Sequence, residues 1–543
     1  MTALEFEYAY GISAVDLTGD GRLDIAAAAE RGSNEVRWSR HEGLAGEAYP
    51  WSDEPVDIGH SKQLFVDDYL IDRVEDVTKK LNQPVKIAGK PLIEMVPEGD
   101  PHWEAGMPIS FSSVIYDQEQ QLFKLWYSLH ENGQSDEAAV LAYATSRDGI
   151  HWEKPRLALH EYRGTSENNV VLTRDALECG VFKDQHETDP AHRYKMLYKG
   201  ICAASSPDGL HWHDYNDGEK VIFHSPGHDS QCVAYWDDAL GKYVAIIRDR
   251  TGWIKHVRPQ LVADAEAKRL WQRLWPKTDR LRLPQDHTIR QVGQAESDDF
   301  VDWTPMRTIV AADESDPVNQ DEFYNMQVMP YGPLRIGLMT VFSYDDEYCR
   351  GAVQLTYSRD GRTWHRAADR QLFLPLSDRP GAVDWGAIYP VQGPLVLGDE
   401  IWIYYVGSGV DHNQRLPPGA TGFPNGIALA KLRLDGFVAV EADHAGTVTT
   451  KPFTFIGQEL HINADAGRGR VAVELLDAKG QLIPGFGLDD ADVLERDAVR
   501  HTVTWQGASD VSPLNGRLVR LRFHVERAKL FSFQFVANPR PGR

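Results

Sequence analysis

Five short polar clusters stand directly before runs of strand-forming residues. They are residues 102–106, 167–169, 227–231, 321–325 and 384–386. Two carboxyl groups on either side of a bond, one protonated and one ionised, can perform general acid–base cleavage, as in the hydrolysis of a glycosidic bond. The candidate catalytic residues are the acids of these clusters, namely Glu104, Asp229, Glu322 and Asp384.

The same clusters carry aromatic and amide side chains that suit a ligand rich in hydroxyl groups. A Trp ring can stack on the apolar face of a sugar, and His, Asn and Tyr can hydrogen-bond hydroxyls. The candidate binding residues are Trp103, Asn169, His228, Tyr324, Asn325, Trp385 and Arg248. The alternatives are core packing for the two Trp residues and a purely structural hydrogen bond for His228.

A repeated turn indicates which elements hold these clusters. The pattern Ser-x-Asp-Gly-x-x-Trp ends at Trp152, Trp212 and Trp364, and a degraded copy ends at Trp303. The Asp-Gly pair supplies positive φ in a hairpin turn, and the Ser and Asp side chains can bond to nearby backbone N–H groups. A fifth, weaker copy includes Asp435-Gly436.

Each copy of the turn follows β-rich runs such as Leu122-Phe123-Lys124-Leu125-Trp126-Tyr127. The Trp positions step by 60 (152 to 212), 91 (212 to 303) and 61 (303 to 364). A period near sixty with several strands per unit is typical of a β-propeller, and five copies predict five blades. The innermost strands of the blades would then bring the five polar clusters to one central funnel.

The residues on either side of this region form two further segments. After about residue 445 the blade pattern stops, and short strands with period-two alternation predict an antiparallel β-sandwich. We therefore predict an all-β protein with an N-terminal extension over 1–59, a five-bladed β-propeller over 60–444 and a C-terminal β-sandwich over 445–543.

The N-terminal extension contains one calcium-loop-like stretch. Oxygen-bearing residues alternate around a tight Gly bend, as in calcium loops, and they are Asp16, Thr18, Asp20 and Asp24. The stretch resembles one copy of the FG-GAP repeat of integrin-type propellers, which implies structural calcium. The alternative is a polar Asp-Gly turn, and no other cofactor is required by the pattern.

Composition excludes several classes of function. The 543-residue chain has a formal net charge of −23, which argues against a nucleic-acid partner or an anionic membrane surface. The four Cys residues lack CxxC spacing, so we expect buried free thiols. The start of the sequence lacks the basic and apolar regions of a signal peptide, so we expect a cytoplasmic protein unless the native start is missing. The chain could form a homo-oligomer.

The blades and the sandwich together resemble the invertase and inulinase class, glycoside hydrolase family 32. The propeller alone is similar to the arabinanase and xylosidase class, family 43. The resemblance covers roughly residues 60–540 and rests on the turns, the strands and the sandwich. The stretch 108–113, which matches the invertase nucleophile strand, has no carboxylate, so the resemblance is to a divergent relative.

The resemblance implies a carbohydrate substrate and a role for each acid by its blade position. Glu104 would be the base or nucleophile, Asp229 the stabiliser and Glu322 the acid, with Asp384 in reserve. The leading hypothesis is a hydrolase of O-glycosyl bonds that acts from a chain end. The alternatives are a mannoside-type phosphorylase, for which Arg248 and Arg290 would form the phosphate site, and a carbohydrate-binding propeller without catalysis.

Overall fold

The computed structural model describes residues 55–537, except 88, 132–137, 174, 199–200, 223–229, 251–288, 314, 318, 321, 345–346 and 423. Before residue 55 it describes only strands β1 (Ser13–Val15), β2 (Asp24–Ala26) and β3 (Trp38–Ser39), which form one antiparallel sheet. The chain forms two compact units, Met1–Glu54 and Pro55–Arg543. Asp16, Thr18 and Asp20 lie outside the described residues, and for Asp24 only the backbone is described, so the calcium loop stays a prediction.

Six short strands precede the repeated region. They are β4 (Val56–Gly59), β5 (Gln63–Leu64), β6 (Ile71–Glu75), β7 (Thr78–Leu81), β8 (Val85–Lys86) and β9 (Ile93–Glu94). They pair with strands that lie far later in the sequence, as described below. The two ends of the larger unit are therefore joined by backbone hydrogen bonds.

Five antiparallel meanders follow within the described residues. The first comprises β10 (Ile109–Asp117), β11 (Leu122–Leu129), β12 (Val140–Ser146) and β13 (Val170–Leu172). The second comprises β14 (Gly180–Lys183), β15 (Tyr194–Tyr198), β16 (Cys202–Ser206) and β17 (His213–Asp214). The third comprises β18 (Val233–Asp237), β19 (Lys242–Asp249), β20 (Gln291–Ser297) and β21 (Arg307–Val310).

The fourth meander comprises β22 (Glu322–Tyr331), β23 (Leu334–Tyr344) and β24 (Cys349–Ser358), with β25 (His365–Arg366) and β26 (Leu372–Leu374) on its edge. The fifth comprises β27 (Ala387–Pro390), β28 (Leu395–Leu397), β29 (Glu400–Ser408) and β30 (Asn425–Arg433). Strands β8 and β9 pair with the outer edge of β30. The outermost strands of the fifth meander therefore come from residues that precede the first.

Each meander packs on the next, and the fifth also packs on the first. One core, for example, joins Trp126 of β11 to Met196 of β15, and another joins Leu125 of β11 to Val406 of β29. Similar cores connect the second to the third, the third to the fourth and the fourth to the fifth meander. The middle strands are consequently buried on both faces, which explains why they read as continuous apolar runs.

The C-terminal strands form one further sheet, with its own core. These strands are β31 (Val438–Thr450), β32 (Phe453–Phe455), β33 (Glu459–Asp465), β34 (Arg470–Asp477), β35 (Asp497–Thr502) and β36 (Val519–Val536). Strands β4 to β7 belong to the same sheet. The core is rich in Phe, including a stacked pair, Phe455 and Phe535, whose centroids are 3.6 Å apart.

The repeated turns have the conformation that the sequence predicts. Gly149, Gly209 and Gly361 have φ of 74°, 81° and 70°. In the first copy Ser146 Oγ accepts a hydrogen bond from Gly149 N at 2.9 Å. The Asp148 carboxylate accepts hydrogen bonds from the backbone N–H groups of Ile150 and His151. The turns also join meanders, since Trp126 Nε1 donates to Gly209 O at 2.7 Å.

The all-β prediction is confirmed. Among the described residues, the helical segments are 3-10 turns such as Pro190–His192, Asn216–Gly218, Ala368–Arg370 and Ser512–Leu514. In the described ranges, no helix combines the length and apolarity needed to cross a membrane. All four Cys residues are buried free thiols, as predicted.

Candidate active site

Two β-bulges at matching places bring aromatic rings together from different meanders. In β10 the pairing with β11 shifts between Ile109 and Ser112, and in β22 the pairing with β23 shifts between Phe323 and Met326. Phe111 and Tyr324 lie in these bulges and stack with centroids 6.1 Å apart. Bulges re-aim side chains and are frequent beside active sites, so this ring pair marks where the inner strands could present a site.

Two arginines from the third meander contact the same tyrosine ring. The guanidinium carbons of Arg248, at the end of β19, and Arg290, just before β20, lie 5.8 and 5.9 Å from the Tyr324 centroid. The Arg290 guanidinium also lies 5.6 Å from the Phe342 ring. Arginine stacks readily on aromatic faces, so Tyr324 fixes both cations in one place.

Glu322, the first residue of β22, is fully buried and forms an ion pair with Arg290. The Tyr344 hydroxyl donates to Glu322 Oε2 at 2.9 Å. Burial, followed by the charge of Glu322, raises the pKa of Tyr344 well above its usual value, so the hydroxyl keeps its proton and remains a donor.

His412 completes the cluster from the loop after β29. Its ring centroid lies 5.1 Å from that of Tyr324 and 4.5 Å from that of Phe342, and its Nδ1 is 3.4 Å from the Tyr389 hydroxyl. Burial and the nearby charge of Arg290 lower the pKa of His412 to about 3. We call Arg248, Arg290, Glu322, Tyr324 and His412 the arginine–tyrosine site.

The charges of Arg248, Arg250 and Arg290 and those of Glu178 and Glu322 act on Tyr324 or His412 at this site. Burial, with the charges of Arg250 and Arg290, lowers the pKa of Arg248 to about 9, while the charge of Glu178 acts in the opposite direction. Burial raises the pKa of Tyr324, and the surrounding arginines partly offset that effect. At neutral pH the guanidinium groups remain cations, and such a cluster favours the approach of an anion.

Among the described residues, several buried polar side chains have no hydrogen-bond partner, and two of them belong to the polar clusters 227–231 and 321–325. They are the Asn325 amide, both of whose polar atoms are buried, and the Ser230 hydroxyl. Asn325 is adjacent to Tyr324 in the β22 bulge. Buried polar atoms are nearly always satisfied by protein, water or ligand, so these groups are suitable donors and acceptors for a bound molecule.

The structure brings together Glu322, Tyr324 and Arg248 of the predicted site, together with Arg290. The prediction from the sequence did not include four residues of this region, namely Glu178, His412, Tyr344 and Tyr389. Glu178 lies two residues before β14 begins at Gly180, so a search of the residues before each inner strand could have found it. The sequence pattern instead indicated 167–169 as the polar cluster of the second blade, because Val170–Leu172 resembles an inner strand. In the structure Val170–Leu172 is the outer strand of the first meander.

Glu104 lies in a different polar network. It is buried, pairs with Lys154 and accepts a hydrogen bond from the Tyr127 hydroxyl at 2.7 Å. Asn169 Nδ2 donates to the same hydroxyl at 2.8 Å. Trp103 is buried beside this network, with its ring edge-on to Tyr162 at 5.8 Å. Three predicted residues, Glu104, Trp103 and Asn169, therefore share the first meander.

Asp384 and Trp385 lie in a third region of the structure. Asp384 lines a cavity of about 1470 Å³ together with Lys86 and Tyr405. Asp384 pairs with Lys86 and bonds to the Tyr405 hydroxyl. Trp385 packs edge-on against Tyr348 at 5.0 Å, with the Arg350 guanidinium 5.4 Å from its ring. The predicted residues Asp229 and His228 lie outside the described residues.

The comparisons with known proteins return only distant similarities. No family model matches the chain. The uncharacterized protein Rv1502 of Mycobacterium tuberculosis is 26% identical over 131 residues, which are 24% of this chain and 42% of that protein. The chain thus spans about two fifths of the length of the curated relatives that it matches.

Three solved structures illustrate the structural similarities. One named a glycoside hydrolase is 13% identical, with a TM-score of 0.41 over 65% of this chain and 92% of its own. The β-1,2-mannobiose phosphorylase from Listeria innocua is 12% identical, with a TM-score of 0.42 over 64% and 96%. A fructofuranosidase from Schwanniomyces occidentalis is 11% identical, with a TM-score of 0.38 over 83% and 98%.

Proposed function

We propose that this chain is a glycoside hydrolase that removes a terminal sugar from an oligo- or polysaccharide. Its catalytic region would be a five-bladed β-propeller, followed by a C-terminal β-sandwich. Five meanders that pack in sequence, with the fifth also packed on the first, support the blade count. The pairing of β8 and β9 with β30 supports closure of the propeller by the N-terminal strands.

The arginine–tyrosine site is the observation that carries this proposal. It combines a buried carboxylate, an aromatic platform and hydrogen-bonding groups at the starts of inner strands. A sugar ring needs an apolar face to stack on and polar groups for its hydroxyls, and both are present here.

Glu322 and Glu178 are the carboxylates that we assign to the reaction. Glu322 is ion-paired with Arg290, and an ionised carboxylate suits a base or nucleophile better than an acid. Glu178 is buried, and its charge raises the pKa values of both Arg248 and Tyr324, so it acts on the same site. In this assignment Glu178 supplies the proton to the leaving oxygen, and Glu322 attacks or activates water.

A glycoside phosphorylase is the second candidate. The arginine cluster around Tyr324 supports it, because bidentate guanidinium groups bind phosphate oxygens well. In that reaction phosphate would replace water as the nucleophile, and one carboxylate would suffice as the acid. The two functions differ in whether inorganic phosphate is consumed.

The test measures the release of reducing sugar from a panel of aryl-glycosides and oligosaccharides. It is made with and without inorganic phosphate, for the wild type and for the variants Glu322→Gln and Glu178→Gln. We expect kcat to fall by about 10²–10⁴-fold in each variant. Glu400→Gln is the matched control, since Glu400 pairs with Lys431 away from the site. Thermal melting of every variant establishes that it is folded.

Each outcome has one meaning. Product that is a free sugar supports the hydrolase, and product that is a sugar phosphate replaces it with the phosphorylase. Unchanged activity in both Glu variants removes them from the reaction and returns Glu104 and Asp384 to consideration. Sugar binding by calorimetry without any turnover would favour a carbohydrate-binding propeller.

A further inference from the structure

We infer that the cavity beside Asp384 binds the part of an oligosaccharide chain that extends away from the arginine–tyrosine site, while the terminal sugar occupies that site. This inference rests on the proposed function and deepens it, since it names a neutral chain of several sugars as the substrate class. Residues of three segments form the walls of this cavity, which we call the Asp384 groove, and the segments are 89–98, 377–384 and 416–422.

The size of the groove is the first argument. Its volume of about 1470 Å³ exceeds the roughly 300–1,000 Å³ of a typical site for one small molecule. Among the described residues, no atom lies within 4 Å of the point where a side chain would begin at Gly381, Gly419 or Gly422, so these walls face open space. A ligand of several linked rings therefore fits the groove better than a single sugar does.

The composition of the walls is the second argument. Each wall presents the flat apolar ring of a proline to the groove, and these are Pro91, Pro380 and Pro418. Proline has a fixed φ, so the walls lose little conformational freedom when a ligand binds. Gly381 and Gly419 follow two of these prolines in turns with φ of 83° and 75°. The groove is therefore preformed, which favours a flexible chain that must itself be ordered on binding.

Paired charges at the floor of the groove are the third argument. The Lys86 ammonium group pairs with Asp384 and donates a hydrogen bond to Pro375 O at 2.5 Å, and the Tyr405 hydroxyl also bonds to Asp384. The Lys86 side chain is 27% exposed, and an ammonium group has three hydrogens, so one of them can reach a hydroxyl of a ligand. Because the two charges at the floor match each other, a neutral ligand rich in hydroxyl groups is favoured over an ion.

The position of the groove is the fourth argument. The loop between β29 and β30 contributes His412 to the arginine–tyrosine site and Leu416 to a wall of the groove. Four residues of extended chain span at most about 14 Å, so one oligosaccharide can reach both places. The Tyr348 hydroxyl lies 3.5 Å from Leu416 O, and the Tyr348 ring packs on Trp385, the neighbour of Asp384. These contacts fix the loop beside the groove.

The experiment is isothermal calorimetry of the full chain with disaccharides and hexasaccharides of mannose, xylose, arabinose and fructose. We expect at least one hexasaccharide to bind about tenfold or more tightly than its disaccharide, which corresponds to about 1.4 kcal/mol. This gain should change little as salt rises, because the ligand is neutral. Equal affinity for the two chain lengths would overturn the inference, and this comparison requires no variant.

Ala420→Trp places a large ring in the groove, because Ala420 is part of the lining. The hexasaccharide should then bind within about threefold of the disaccharide. Ala508→Trp is the matched control and should retain the gain, since Ala508 is an exposed residue between β35 and β36. Thermal melting establishes that each variant is folded, and Thr421→Trp fills the groove from a second, exposed position. A gain that persists in the folded groove-filling variants would overturn the inference.

The remaining outcomes separate the inference from the proposed function. Release of sugar from short substrates without a gain for longer chains would leave the proposed function standing and remove only the inference. A gain that depends on the groove, without any release of sugar, would support the groove and remove the proposed hydrolase. If a second copy of the chain covers the groove, Ala420→Trp would change the mass measured by light scattering and leave sugar affinity unchanged, which would overturn the inference.

Discussion

Glu104 and Glu322 have closely similar partners, yet they lie in different surroundings. Each is buried, pairs with one cation and accepts a hydrogen bond from one tyrosine hydroxyl. The partners are Lys154 and Tyr127 for Glu104, and Arg290 and Tyr344 for Glu322. What distinguishes Glu322 is a second set of neighbours, the Arg248 cation and the rings of Tyr324 and His412.

The same trio of carboxylate, cation and tyrosine recurs where function is not expected. Asp184 accepts from Lys195 at 2.6 Å and from the Tyr243 hydroxyl at 2.7 Å, and Tyr243 belongs to the next meander. Asp117 makes the corresponding bonds to Lys124 and Tyr194. The trio is therefore an ordinary cross-link between adjacent meanders. Glu322 differs from these trios because its partner Arg290 lies against the Tyr324 ring, which Arg248 and His412 also contact.

The largest effect that tests this comparison is on activity. Glu322→Gln should lower kcat by about 10²–10⁴-fold, whereas Glu104→Gln should leave kcat within about threefold because Glu104 belongs to the polar network of the first meander and not to the arginine–tyrosine site. The measurement is the rate of sugar release at saturating substrate. If Glu104→Gln abolishes activity while the protein remains folded, the comparison fails and the first meander contributes to catalysis.

The next effect is on stability at a cross-link. Asp184→Asn should lower the free energy of unfolding by about 2–3 kcal/mol, because the buried Lys195 would lose its buried counter-charge and keep its bonds to Glu187 and to the His192 carbonyl. Asp298→Asn is the control, since Asp298 pairs with Lys242 on the surface and should change stability by less than about 0.5 kcal/mol. Urea unfolding measures both, and equal changes would contradict the cross-link interpretation.

The two tyrosines sharpen the comparison with a smaller change. Tyr127→Phe should cost about 1–2 kcal/mol of unfolding free energy and leave sugar release unchanged, because its hydroxyl serves a buried network. Tyr344→Phe should lower kcat about tenfold, because it removes a donor to Glu322. A purely structural role for Tyr344 would appear as lost stability with unchanged kcat and an unchanged pH profile.

The smallest effect is the pH dependence that His412 adds. Its pKa is about 3 in the fold and near its ordinary value when unfolded, so the unfolded state binds more protons between those values. Above about pH 6.5 the imidazole is neutral in both states, and the free energy of unfolding is not lowered by this group. As the pH decreases from about 6.5 toward 3, protonation of His412 in the unfolded state lowers the free energy of unfolding by up to about 1.4 kcal/mol per pH unit. His412→Gln should show a shallower loss between pH 6.5 and 4 in urea unfolding. If the free energy of unfolding depends on pH equally in the wild type and in His412→Gln, the lowered pKa of His412 in the folded protein is contradicted.

Local patterns predicted much of the framework. The Ser-x-Asp-Gly-x-x-Trp turns have the expected positive φ and side-chain bonds, because these depend on residues within four positions of one another. The degraded copy shows how far the pattern tolerates change. Phe300 replaces the glycine at φ 70° and fills the gap with a ring packed 5.3 Å from Tyr243.

The sequence by itself determined the all-β class, the repeated turns and the buried thiols, since each is a local or compositional property. Only the tertiary structure decided which of the acids share a site. Glu322 pairs with Arg290, 32 residues earlier in the sequence, and Arg290, Arg248 and His412 all lie against the Tyr324 ring, because strands and loops of different meanders converge there. Such contacts depend on the register of each bulge and on where each meander begins, and a misassigned outer strand at Val170–Leu172 was enough to hide Glu178.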